Sequence, residues 1–161
     1  MGRLYLFARK AGRIMPRTTI ELVAEAFLSL ESMSNKKLQK LCYYAYAWFL
    51  VLHNNDLFCN RFQAWVHGPV DPSLYRRYRD YGWDDIPQGS RPVIDSDIFG
   101  FIEEVFAAYG EMNADELEYL THREDPWISA RGGLSEFASC SSQIDSEVIR
   151  SYYTKILETN Q

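Results

Sequence analysis

Apolar residues recur along this chain at helical spacing, and the first such face is Ile20, Val23, Ala24, Phe27 and Leu28. Positions three and four apart share one side of a helix, so this spacing gathers a stripe that must be buried. Thr18 or Thr19 is placed to cap the start, and Glu21 sits in the first turn. A capping hydroxyl accepts a bond from a free backbone N–H, and an early acid complements the helix dipole. Ser34 opens a longer helix, predicted from about Asn35 to His53. Its face is Leu38, Leu41, Cys42, Ala45, Trp48, Phe49 and Leu52, widened by Tyr44, so it is expected to be the central helix. Asn54-Asn55-Asp56 ends it, because these side chains bond locally to backbone and favour turns.

The period then shortens. In Arg61 to Val66, Phe62, Ala64 and Val66 alternate with Arg61, Gln63 and Trp65, which is strand-like. Gly68-Pro69 is expected to end that segment in a turn. Asp71-Pro72 then signals a helix start, a cap followed by a proline whose missing N–H costs nothing there. Leu74, Tyr75 and Tyr78 face one way from this short helix, with Arg76, Arg77 and Arg79 around the rest. Residues 82–97 hold Gly82, Pro87, Gly89, Ser90 and Pro92 and read as a loop. Helical spacing returns from about Asp97 to Tyr109, and Gly110 is placed to close that helix in a left-handed conformation. Asn113 to Glu116 resembles a capping box, residues 129–143 read as a loop, and Asp145 caps a last helix. The pattern predicts a mainly α protein. It is a single compact domain over residues 18–161, with about five to six helices and a short β-like segment near residues 61–70.

The chain has 161 residues, with 47% hydrophobic and 24% charged, which suits a folded domain with a real core. Aromatic residues, at 15%, are dense, and half of them fall between Lys36 and Trp83. That density reads as a scaffold for binding. Residues 1–17 differ: Arg3, Arg9, Lys10, Arg13 and Arg17 have no acid among them, while the whole chain carries −5. They are read as a basic arm, either loose or an upstream extension before a start at Met15. The other reading is a targeting or nucleic-acid arm. No apolar run approaches the roughly 20 residues that span a bilayer, so no membrane partner is expected.

Catalytic chemistry finds little to stand on. Cys42, Cys59 and Cys140 are odd in number and widely spaced, which fits reduced thiols in a cytoplasmic protein rather than a disulfide framework. His53, His67 and His122 match no metal-ligand spacing, so no metal or cofactor is expected. His122 with Glu124 and Asp125 is a conceivable acid–base or metal site, but residues so close in sequence rarely converge on one point. There is no nucleophile elbow, no phosphate-binding loop and no dinucleotide fingerprint, so no enzyme is expected. Lys36, Lys37 and Lys40, with Arg76, Arg77 and Arg79, would form a positive edge if exposed.

Three blocks together resemble a known family. Lys37-Leu38-Gln39-Lys40-Leu41-Cys42-Tyr43-Tyr44-Ala45-Tyr46-Ala47-Trp48 resembles the KLQKLLYYAQGW signature of the Panacea antitoxin domain family. Ala64-Trp65-Val66-His67-Gly68-Pro69-Val70 is similar to its AWxxGPV segment, followed by Pro72 and Tyr75. Leu117, Thr121-His122 and Pro126-Trp127 resemble its third block. Cys42, Tyr46 and His67 depart from the commoner residues. The family includes phage-associated GepA-like proteins and SocA-like antitoxins, so the resemblance implies a bacterial, prophage- or phage-encoded antitoxin whose partner is a cognate toxin. Some members resemble adaptors that deliver the toxin to a protease. A protease and a second copy of the chain are therefore further candidate partners. The alternative is a nucleic-acid-binding phage regulator that uses the basic arm and the Lys36–Lys40 edge.

Lys36, Gln39, Lys40, Tyr43, Arg76 and Arg79 are the expected partner-binding residues, on the expectation that they are exposed; Tyr and Arg are common hot-spot residues. Structural roles are expected for Tyr44, Trp48, Trp65, Gly68, Pro69 and Val70. The same holds for Tyr75, Thr121, His122, Pro126 and Trp127, with Trp48, Trp65 and Trp127 placed to stack in one core.

Overall fold

The computed structural model describes residues 18–59 and 61–160, so the basic arm lies outside the described residues. Helix α1 is Ile20–Leu30, capped by the Thr19 side chain, which accepts from Leu22 N. A two-residue strand β1, Met33–Ser34, leads into α2, Asn35–His53, where Ser34 caps Lys37 N. Asn54 closes α2 in the left-handed region, with φ 52°. Strands β2, Gln63–Trp65, and β3, Gly68–Val70, form an antiparallel hairpin with Trp65 opposite Gly68. Helix α3, Pro72–Tyr78, follows under an Asp71 cap, then a 3-10 turn, Arg79–Tyr81. Strand β4, Asp85–Ile86, returns to pair with β1. The remaining helices are α4, Ser96–Tyr109; α5, Ala114–Thr121; α6, Asp125–Ala130; and α7, Ser146–Thr159.

The mainly α class is as expected. Six of the seven helices among the described residues coincide with predicted ones, and α6 is the addition. The predicted Gly68-Pro69 turn is a correction. The hairpin turns at Val66-His67, and Gly68 and Pro69 belong to the second strand. Gly110 is also corrected: its φ is −66°, and it ends α4 without a left-handed residue. Its lack of a side chain is needed instead for packing, since a Cβ there would lie 2.5 Å from the Phe106 carbonyl oxygen.

Helix α2 runs through the centre, touching α1, α3, α4, α5 and α7 and strands β1 and β3. Residues 37–50 of it are all buried. A helix enclosed on every side needs partners for its polar side chains as well as its apolar ones. That requirement shapes the surroundings of α2. No helix among the described residues is long and apolar enough to cross a membrane.

Candidate functional site

The three lysines at the start of α2 leave the helix in three directions. Lys36 Nζ reaches α5, at 2.7 Å from Asp115 Oδ1 and 2.5 Å from Glu118 Oε2. Burial alone would lower the Lys36 ammonium, but its bonds to Asp115 and Glu118 hold it above its ordinary value. Lys37 Nζ donates to the Gly110 carbonyl at 2.7 Å. Lys40 is fully buried, and its Nζ donates to the Pro69 carbonyl at 3.2 Å. No carboxylate of the described residues is within ion-pair distance of Lys40. Burial pushes it down to about 7, and the nearby Lys36 charge acts in the same direction.

These side chains fasten the hairpin onto α2. Gln39 Oε1 accepts from Asp71 N at 2.9 Å, while Gln39 Nε2 donates to Asn35 Oδ1 at 3.2 Å. Asn35 in turn donates to the Tyr75 carbonyl at 3.3 Å. Gly68 has φ +102°, and a Cβ there would lie 2.4 Å from Lys40 Cε and 2.9 Å from Thr121 Oγ1. The first motif block therefore holds the second through Lys40 and Gln39, and the glycine leaves room for the lysine stem.

The third block holds the hairpin from its other side. Trp127 Nε1 donates to the Trp65 carbonyl at 2.8 Å, and Arg131 Nη1 donates to the Ala64 carbonyl at 2.7 Å. His122 stacks on Trp127 with centroids 3.9 Å apart, and Arg131 lies over the same indole. Pro126 is buried at the start of α6. Below this level Glu124 turns into the core. Its Oε1 accepts from Tyr44 at 2.7 Å and from Tyr153 at 2.9 Å. Tyr44 stacks on Tyr109, whose hydroxyl accepts from Trp48 Nε1 at 2.7 Å. Burial pushes the Glu124 carboxyl up to about 7, although both tyrosine bonds act against that rise.

Between α2, the hairpin and α3 lies a cavity of about 260 Å³. Lys36, Gln39 and Lys40 of α2 and Trp65, Val70 and Tyr75 are among the residues around it. His67, Arg79 and Trp83 are also at its boundary. His67 Nδ1 is 2.7 Å from Glu118 Oε1, so Glu118 joins Lys36 and His67 in one cluster. Trp83 is 73% exposed and its ring meets His67 edge-on at 5.6 Å. Tyr75 is 40% exposed and packs edge-on against Trp65 at 5.1 Å.

Several sequence expectations change here. Gln39, Lys40 and Tyr43 are buried rather than exposed, and Lys36 is held by two acids. Tyr43 belongs to the core, where its hydroxyl lies 3.2 Å from that of Tyr153. The positive edge over Lys36–Lys40 is therefore absent from the surface. Arg76 and Arg79 are exposed as expected, and neither has an ion-pair partner among the described residues. Arg77 pairs with Glu25 at 2.8 Å. Trp48, Trp65 and Trp127 do not form one stack: Trp48 meets Tyr153, Trp65 meets Tyr75, and Trp127 meets His122. His122 and Glu124 do not face one centre, since Glu124 turns to the tyrosines. Among the described residues, no group of three or more His, Cys, Asp or Glu is arranged to hold a metal ion. Sequence reasoning missed Trp83, Glu118 and Asn35. A signal existed for Glu118, which sits four positions before His122 on one helix face.

The interlocked motif blocks now have a counterpart among known proteins. Residues 38–128 match the family of SocA-like antitoxins with a Panacea domain, and the chain belongs to that family. Antitoxin SocA of Caulobacter vibrioides (strain NA1000 / CB15N) is 32% identical over 132 residues, covering 73% of this chain and 70% of that protein. No solved structure matches the chain.

Proposed function

We propose that this chain neutralises a cognate toxin by direct protein contact, through the face around the cavity. One observation carries the reading. In a chain of an antitoxin family, Tyr75, Arg79 and Trp83 lie exposed beside one concavity. Tyrosine and tryptophan bury large area at low entropic cost, and together with arginine they are enriched at interface hot spots. Their partner groups here are few: Arg79 has no ion pair among the described residues, and Trp83 is largely bare. The buried motif residues then serve as the frame that holds this face in shape.

The nucleic-acid reading loses support in the described residues. The lysine edge it needs is turned inward or neutralised, and residues 18–161 carry net negative charge. The test is co-expression with the product of the adjacent open reading frame. That product should arrest growth alone, be tolerated with this chain, and co-purify with it. A harmless neighbour that never co-purifies contradicts the reading. Faster turnover of the toxin in the presence of this chain would assign delivery to a protease as the mode of neutralisation.

A further inference from the structure

We propose that the cavity between α2, the hairpin and α3 takes one apolar side chain of the toxin, and that an acidic residue beside it in the toxin chain meets Arg79 at the rim. That the occupant is a toxin rests on the proposed function; its chemistry rests on the cavity. The lysines around the cavity offer a ligand no free charge. Lys40 is fully buried, with its stem packed at Gly68 and Thr121 and its Nζ on the Pro69 carbonyl. Lys36 is held by Asp115 and Glu118. The open surface is mostly apolar, with the rings of Trp65, Tyr75 and Trp83 and the Val70 side chain around it. Such a surface gains most from an apolar group that leaves water for it. The volume of about 260 Å³ is small for a drug-sized ligand and suits one side chain.

Trp83 marks the outer wall. Gly82 N donates to the Arg79 carbonyl and Asp84 N to the Tyr81 carbonyl, so a closed turn carries the indole. Strand β4, which begins two residues later, is tied to β1. An indole held in this way yet 73% exposed keeps apolar surface in water that a partner side chain would cover. Charge complementarity sets what flanks that side chain. No residue lining the cavity is acidic among the described residues. Arg79 is exposed at the rim without an ion pair, and Arg76 is exposed one turn earlier, also unpaired. Asp80 and Asp84 adjoin them in sequence but do not line the cavity. The rim therefore favours an acidic neighbour and disfavours a basic one.

The test titrates the full-length chain with acetyl-Asp-Phe-Asp-amide, acetyl-Asp-Ala-Asp-amide and acetyl-Lys-Phe-Lys-amide, with the Trp65 and Trp83 indole resonances reporting occupancy. The first probe should bind about tenfold more tightly than its alanine twin. It should bind about threefold more tightly than the lysine probe, with that gap closing in high salt. Arg79→Ala should remove the preference for acid and leave the preference for phenylalanine. Trp83→Ala, read at Trp65, should weaken the phenylalanine probe severalfold. Both side chains are exposed, so both variants should fold. Equal binding of the phenylalanine and alanine probes, a preference for the lysine probe, or no response from any probe overturns the assignment. So does unchanged binding in both variants. No probe response with toxin still captured removes only the occupant; a bound probe with no captured toxin removes only the toxin reading.

Discussion

Glu124→Gln isolates the carboxyl that sits under the tyrosine cluster. The folded chain holds the Glu124 proton to about pH 7, against an ordinary 4.5, chiefly because burial disfavours the charged form. The native state therefore binds this proton more tightly than the unfolded chain. Its contribution is fully present below about pH 4.5 and is lost as pH rises through about 7. At ~1.4 kcal/mol per pH unit, that interval corresponds to about 3 kcal/mol. Glutamine keeps an oxygen that can accept from Tyr44 and Tyr153, while adding an amide N–H₂ that needs partners. The variant should be somewhat less stable than the parent at pH 4.5, by about 1 kcal/mol. It should be more stable at pH 8, by roughly 2 kcal/mol. Urea unfolding of both proteins at pH 4.5, 6, 7 and 8 measures this, because other titrating groups cancel in the difference. A difference between the two proteins that stays constant across that range refutes the reasoning.

Three further outcomes follow from the same geometry. Gly68→Ala should destabilise the fold by about 2–3 kcal/mol, from a positive φ and the contact with Lys40 Cε, as read by urea unfolding; adding Lys40→Ala should recover only part of the loss. Arg131→Met should cost about 3 kcal/mol in the same assay, because the carbonyls of Ala64, Ser135 and Ala138 lose a shared charged donor. Lys40, held near 7 by burial, binds its proton less tightly in the folded chain than in the unfolded one, so its contribution to stability should rise as pH climbs from about 7 toward 10.5. Lys40→Met should flatten that rise in unfolding curves taken at pH 7, 8.5 and 10.

The helices were legible where period and cap coincide. Thr19, Ser34 and Asp145 cap α1, α2 and α7 as their side-chain chemistry predicts. Helix α6, with six residues, is too short to show a period, and the β1–β4 pair is only two residues long. The site was harder to read for a different reason. Lys37 and Lys40 look like a solvated edge because their neighbours along the chain offer no reason to bury them. The carbonyls that receive them belong to Gly110 and Pro69, which lie 73 and 29 positions away. Lysine stems also pack as apolar matter once the head group has a partner. Family resemblance found the interlocking residues as motifs, but it did not separate the frame, such as Gln39 and Tyr43, from the exposed face at Arg79 and Trp83.

The most direct test of the account is the affinity of the purified chain for the product of the adjacent reading frame, measured by calorimetry for the parent and for the Arg79→Ala, Trp83→Ala double variant. Both side chains are exposed, so the double variant should unfold within about 0.5 kcal/mol of the parent. Its affinity should fall by about a hundredfold or more. Unchanged affinity in the double variant would contradict the assignment of this face to the toxin.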